Sequence, residues 1–202
     1  MGNEKHLEVE VKFVVAGVAV VRERLVAVGA VLLKERVFER NVSLDTAVST
    51  LYHHDELLRL RQDTAVTLTY KGRSLEAEQG SEAKVREELE VTVSDWDTAV
   101  AIFRRLGFTP QVVYEKYRET WQLGEVIVTL DELPFGDFVE LEGDEDAIKE
   151  TAVALNLPWE KRVVSNYLAL MTAVKTHHQL SFDDLTFENF AGLGISVADV
   201  LS

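Results

Sequence analysis

The sequence predicts an α+β fold in which eight antiparallel strands close into a barrel with helices packed outside. Three observations predict it. Apolar and polar residues alternate with period two in eight separate runs up to Glu142. Two segments of helical period interrupt these runs at matching places, so the order strand, helix, three strands occurs twice. After Gly143 the period turns helical. Two halves of like architecture and little shared identity suit a closed sheet with an approximate twofold axis.

The eight runs are 6–15, 31–45, 56–62, 65–72, 84–93, 111–121, 125–132 and 137–142. In the first, Leu7, Val9, Val11 and Phe13 take one face, and Glu8, Glu10 and Lys12 take the other. The first helix, Val18 to Ala30, carries Val21, Leu25 and Val28 at three-to-four spacing and ends near Gly29. Its counterpart, Ser94 to Gly107, opens with a Ser94/Asp97 capping pattern and carries Trp96, Val100, Phe103 and Leu106. Asp144 to Leu155 reads as an acid-fronted amphipathic helix broken by Pro158, and Ser165 to Val174 as another, both expected outside the sheet. Ser74 to Ala83 is a polar connection predicted to be disordered. One domain is expected over 1–175. The tail, 176–202, holds Phe182, Leu185, Phe187, Phe190 and Ile195, apolar enough to dock on the barrel or on a partner subunit of a homodimer.

Composition narrows the function. The 202 residues carry 21 Lys and Arg against 35 Asp and Glu, a net charge of −14, which argues against a broad grip on duplex nucleic acid. The absence of cysteine excludes disulfides, thiolate metal sites and a thiol nucleophile. No Walker A or GxGxxG sequence is present. The N-terminus lacks a signal-peptide core, and the longest uncharged apolar run, 13–21, is too short to span a bilayer. A cytoplasmic protein without a membrane partner is therefore expected.

The polar faces are unusual in kind. Polar half-strands ordinarily face solvent with mixed residues, whereas here like charges sit two apart: Glu8/Glu10, Arg59/Arg61, Glu88/Glu90, Lys116/Arg118 and Glu140/Glu142. Side chains so placed repel unless counter-ions lie between them. With Lys12, Lys71, Arg86 and Asp131 the face holds seven acids and seven bases. Turned into a barrel, such long charged groups cannot be buried dry, so the lumen must hold water, ions or a polar ligand. Carboxylates without His or Cys select hard cations such as Mg²⁺ or Mn²⁺, and clustered Arg and Lys select phosphate oxygens. Both in one cavity point to a metal-chelated polyphosphate.

Glu8-x-Glu10-x-Lys12, Leu58-Arg59-Leu60-Arg61, Thr69-Tyr70-Lys71-Gly72, Arg86-x-Glu88-x-Glu90, Lys116-x-Arg118, Asp131, Glu140-x-Glu142 and Ser165-x-Tyr167 follow in order along the chain. This succession, over about residues 6 to 170, resembles that of the CYTH family, the triphosphate tunnel metalloenzymes. The resemblance implies an eight-stranded tunnel that binds a triphosphate-containing small molecule with one or two divalent cations, Mg²⁺ or Mn²⁺. Family activities include inorganic and thiamine triphosphatases, RNA 5′-triphosphatases and class IV adenylate cyclases. It further implies metal binding by Glu8, Glu10, Glu140 and Glu142 with Glu90 and Asp131, and phosphate binding by Lys12, Arg59, Arg61, Lys71, Arg86, Lys116 and Arg118. Glu8, Glu10, Lys12 and Glu88 would be the catalytic group, a carboxylate orienting the attacking water. Two features depart from the pattern: residues 18–38 contain no tyrosine to partner Lys12, and 180–202 match no motif. Hydrolysis of a triphosphate is the leading expectation, cyclisation of ATP to cyclic AMP and pyrophosphate the alternative, and a binding module without turnover the third reading.

Overall fold

The computed structural model describes residues 7–75 and 80–201. Its strands follow the alternation: β1 (Leu7–Val15), β2 (Val31–Thr46), β3 (Leu57–Gln62), β4 (Val66–Ser74), β5 (Lys84–Val93), β6 (Phe108–Leu123), β7 (Val126–Leu133) and β8 (Gly136–Glu142). The ring closes in the order β1-β5-β4-β3-β2-β6-β7-β8, every neighbouring pair antiparallel, with β8 returning to β1. Exchanging β1–β4 with β5–β8 maps the ring onto itself. The internal repeat is thus a twofold of topology whose axis passes between β1 and β5 and between β2 and β6. β6 begins three residues before the alternation does and contains Pro110, whose partner Leu44 lies at a register shift of β2, where the missing N–H is tolerated.

The helices are α1 (Val18–Ala27), α2 (Thr50–His53), α3 (Trp96–Arg105), α4 (Glu145–Ala154), α5 (Tyr167–His178) and α6 (Phe187–Phe190). The two repeat helices end alike, with Gly29 at φ +78° and Gly107 at φ +91°, left-handed positions where a side chain is strained. The cap of α3 differs from the Ser94/Asp97 expectation. Asp95 occupies the cap and accepts a hydrogen bond from the Thr98 amide at 2.7 Å.

The layering follows from the strand pattern. Outward-facing Val11, Val128, Val139 and Leu141 pack beneath α1 and α4 with Val21, Leu25, Ile148 and Leu155. On the twofold-related side α3 covers Val42, Leu60, Leu68 and Val93. α5 also lies outside the wall but across one end of the barrel. At that end the inward residues become apolar, and Val14, Tyr114, Leu133 and Phe138 meet Tyr167, Leu170, Met171 and Val174. Leu185, Phe190 and Val197 from the segment after α5 join this cluster, and Leu185 exchanges backbone hydrogen bonds with Val113 and Glu115 at 2.9 Å.

The connection expected to be disordered is anchored at its far end. Ser81 donates to Glu145 at 2.6 Å, and Glu82 pairs with Lys149 at 3.0 Å and accepts from the Trp159 indole at 3.2 Å. Residues 76–79 of that connection lie outside the described residues. Among the described residues no helix is long and apolar enough to cross a membrane.

Phe138 is 0% exposed, its ring 5.0 Å from Tyr167 and 5.8 Å from Phe135. Phe138→Ala is expected to lower unfolding free energy by about 3–5 kcal/mol, read from the urea midpoint at unchanged m-value.

Candidate active site

Because the outward positions are taken by hydrocarbon under the helices, the alternate residues face the lumen. The strands enclose a cavity of about 1250 Å³. Every residue that the sequence assigns to the site lines it, with one exception, Asp131. β1 sends in Glu8, Glu10 and Lys12; β8 sends in Glu140 and Glu142. Arg59 and Arg61 come from β3, Lys71 from β4, Arg86, Glu88 and Glu90 from β5, and Lys116 and Arg118 from β6.

Most of the buried charge is matched by opposite charge. Lys12 lies 2.7 Å from Glu10 and 3.2 Å from Glu140. Lys71 sits 2.5 Å from Glu8 and 3.1 Å from Glu88. Arg59 donates to Thr69 at 3.1 Å and to the Tyr114 hydroxyl at 3.4 Å. Arg86 pairs with Asp55 at 2.8 Å, and Asp55 in turn accepts from the Ser74 amide at 2.9 Å. The Nε–H groups of Arg59, Arg61 and Arg86 are buried without an acceptor among the described residues. Three guanidinium donors without an acceptor among the described residues suit an oxyanion.

Glu8, Glu10 and Glu140 each bring a carboxylate oxygen within 4.8 Å of the others. The group contains neither His nor Cys, so this all-oxygen set suits a hard divalent cation, and the Lys12 ammonium supplies positive charge beside it. Three residues expected among the metal ligands lie outside this trio: Glu142, the register partner of Glu10, and Asp131 and Glu90. Asp131, 0% exposed, accepts from Arg118 at 2.6 and 2.5 Å, from Lys116 at 3.0 Å and from the Tyr167 hydroxyl at 2.7 Å. Its lone pairs are spent on aiming two cations. Glu90 accepts from Thr69 at 3.1 Å and pairs with Arg61 at 3.4 Å.

Protonation states follow these surroundings. Burial raises the Glu8 carboxyl against the pull of Lys71, with Glu88 adding to the rise. Burial works against ionisation of Glu88 as well, but Lys71, a hydrogen bond with Glu8, and Arg59 leave its pKa lowered. Glu142 lies opposite Glu10 in the β1–β8 register, and burial together with Glu8, Glu140 and Glu88 pushes it up to about 7. Burial and then Lys12 bring the Lys84 ammonium down to about 8, with Glu10 opposing.

Some lining residues carry no assignment from the sequence. Lys84, two before Arg86 on one strand face, is legible by the same parity. β2 brings Ser43 and Asp45 to the cavity, both buried, with Asn41 buried on the same strand face but not on the lining. Asp45 is structural, since it accepts from the amides of Leu51 and Tyr52 at 3.0 Å and holds α2. Tyr167, present in a motif but given no role, sits with its ring 5.4 Å from the Lys12 ammonium and 5.2 Å from that of Lys116.

Comparison with known proteins agrees with this geometry. A family model described as the CYTH domain matches residues 6–163. A protein of Methanocaldococcus jannaschii, named as a candidate adenylate cyclase, is 28% identical over 176 residues, covering 81% of this chain and 98% of that protein. The crystal structure of a candidate adenylate cyclase from Vibrio parahaemolyticus superposes with a TM-score of 0.73 at 22% identity, covering 84% of this chain and 100% of its own. HpAC1 from Hippeastrum, named as a candidate adenylyl cyclase and described as having a dominant triphosphatase activity, superposes with a TM-score of 0.59 at 19% identity over 81% of this chain and 93% of its own.

The raised Glu142 carboxyl has a measurable consequence. Its folded pKa lies above that of the unfolded chain, so ionising it destabilises the native state. Both states are protonated below pH 4, the native state keeps its proton longer, and the penalty grows until pH passes about 7. In EDTA, Glu142→Gln is expected to raise the thermal midpoint by roughly 3 °C at pH 8 and to leave it unchanged at pH 4, measured by circular dichroism.

Proposed function

The chain belongs to the CYTH domain family, and from that premise we propose that it is a divalent-metal-dependent hydrolase acting on a triphosphate held within the barrel. Inorganic tripolyphosphate and nucleoside or thiamine triphosphates are the substrate class. The observation that carries the reading is the juxtaposition of the Glu8, Glu10 and Glu140 oxygens with a cavity lined by cations whose buried Nε–H groups lack acceptors.

The roles then follow from charge and position. Arg59, Arg61, Lys71, Arg86, Lys116 and Arg118 bind phosphate oxygens and keep the chain in one line. Lys12, between Glu10 and Glu140, adds positive charge beside the carboxylate trio. A divalent cation such as Mg²⁺ or Mn²⁺, held by Glu8, Glu10 and Glu140 with Glu142 nearby, would neutralise charge that develops on the transferring phosphoryl group. Glu88, with its lowered pKa, is the carboxylate that accepts a hydrogen bond from the attacking water and orients it. Asp131 and Tyr167 act behind this layer by fixing the directions of Lys116 and Arg118.

The name of the Methanocaldococcus jannaschii relative favours a second reading, cyclisation of ATP, in which the ribose 3′-hydroxyl replaces water as the attacking group. The same cations would grip the phosphates in either reaction. A turnover assay with tripolyphosphate, ATP and thiamine triphosphate, reading orthophosphate and cyclic AMP, separates them. Orthophosphate release that requires Mg²⁺ or Mn²⁺ and stops in EDTA is the expected result. Cyclic AMP would replace hydrolysis by the cyclase reading, and silence with every substrate would leave a binding module. Glu10→Gln is expected to lower kcat by roughly 100-fold or more, about 3 kcal/mol of transition-state stabilisation. Its affinity for tripolyphosphate in EDTA should change by less than about threefold, because the phosphate-binding cations remain.

A further inference from the structure

Four cations gather where β1, β4 and β5 meet: Lys12, Lys71, Lys84 and Arg86. Three of them have a carboxylate partner, Glu10 and Glu140 for Lys12, Glu8 and Glu88 for Lys71, and Asp55 for Arg86. Lys84 has none among the described residues. It is 4% exposed, lines the cavity, and its side chain makes no hydrogen bond or ion pair among those residues. Its register partner across the β1–β5 ladder is Glu10, but an oxygen of that carboxylate is already 2.7 Å from Lys12. A buried ammonium without a counter-charge is unfavourable, and a wall residue kept only for packing would be better replaced by an uncharged side chain of like length. The Lys84 ammonium faces the cavity with its nearest ladder carboxylate already engaged, and so is open to an anion from outside the chain.

The position says which anion. Lys84 is the first residue of β5, one inward step beyond Arg86 towards the barrel end that carries α5 and the 47–56 loop. An oxyanion there would meet Lys84 and Arg86 on one strand face, about 7 Å apart at their backbones, with the Glu10 carboxylate opposite. We propose that Lys84 is a further phosphate-binding residue of this tunnel, taking an oxygen of the phosphate group that lies beside Glu10 and Arg86. The assignment rests on the triphosphate reading above and adds to it the group that anchors the chain at the α5 end. It also explains why Arg86 is held by Asp55: the carboxylate keeps the guanidinium aimed into the lumen, leaving its buried Nε–H for the same phosphate.

The test is calorimetric titration of inorganic tripolyphosphate, in EDTA, into the wild type, Lys84→Met and Lys84→Arg, with a thermal melt of each. The expected result is a tenfold or greater loss of affinity in Lys84→Met, with an unfolding midpoint equal to or above that of the wild type, and affinity within about threefold of wild type in Lys84→Arg. The gain or constancy in midpoint is what a merely structural lysine would not give. Unchanged affinity in Lys84→Met overturns the assignment alone. A lowered midpoint together with a loss that Lys84→Arg does not restore also overturns it, making Lys84 part of the wall. A wild type that binds no tripolyphosphate overturns the triphosphate reading and this assignment with it.

Discussion

Turning the charged face of a sheet inward places ammonium, guanidinium and carboxylate groups where desolvation costs several kcal/mol for each ion left alone. The rest of the structure is organised around meeting that demand. Lys12 stands between carboxylates of β1 and β8, Lys71 between those of β1 and β5, and Asp131 collects Arg118, Lys116 and Tyr167 in one buried knot. Apart from Lys12–Glu10 within β1 and Tyr167 from α5, these contacts bridge strands that are neighbours in the ring or close across it. The interior thus contributes register and side-chain direction, while the hydrocarbon between the wall and α1, α3 and α4 supplies the driving force for folding.

The twofold of topology is not a twofold of charge, and that difference makes a site. Under the exchange of halves, Lys71 of β4 corresponds in strand to Glu140 and Glu142 of β8, Arg59 and Arg61 of β3 to Asp131 of β7, and Glu39 of β2 to Lys116 and Arg118 of β6. A symmetric interior would have spread both signs evenly. Here the carboxylates that can share a cation concentrate on β1 and β8, and β3, β4 and β6 face them with positive charge. A ligand complementary to such a lumen carries a cation on one side and phosphate oxygens on the other.

Much of this was legible in the sequence because strand parity is a two-residue code. Leu58-Arg59-Leu60-Arg61 states both faces of β3, and all eight strands could be placed from runs of that kind. What parity cannot convey is which neighbour a charge meets. Asp131 reads as one more carboxylate, yet its oxygens accept from Lys116, Arg118 and Tyr167; Glu90 is likewise drawn off by Thr69 and Arg61. Lys84 was readable by parity but stood at the edge of a run. The Ser94/Asp97 capping pattern missed by one residue because Ser94 and Asp95 are both good caps, and only the path of the chain selects Asp95.

Among the described residues, Lys84 on β5 and Glu142 on β8 have no ion-pair partner, and both are register partners of Glu10. Their titrations move towards each other, Lys84 down to about 8 and Glu142 up to about 7, so each gives up part of its charge where it has no partner. A pair of such groups is tolerated because the outward faces of β1 and β8, with Val11 and Leu141, are sealed by α1 and by Ile148 of α4, so the wall does not depend on them. The unbalanced charges sit where two strands meet the carboxylate trio, and a cation shared by the trio would relieve Glu142 while a phosphate oxygen would relieve Lys84. The side chains that a cation and a phosphate would meet are thus already placed by the strands, which leaves less reorganisation for the moment of binding.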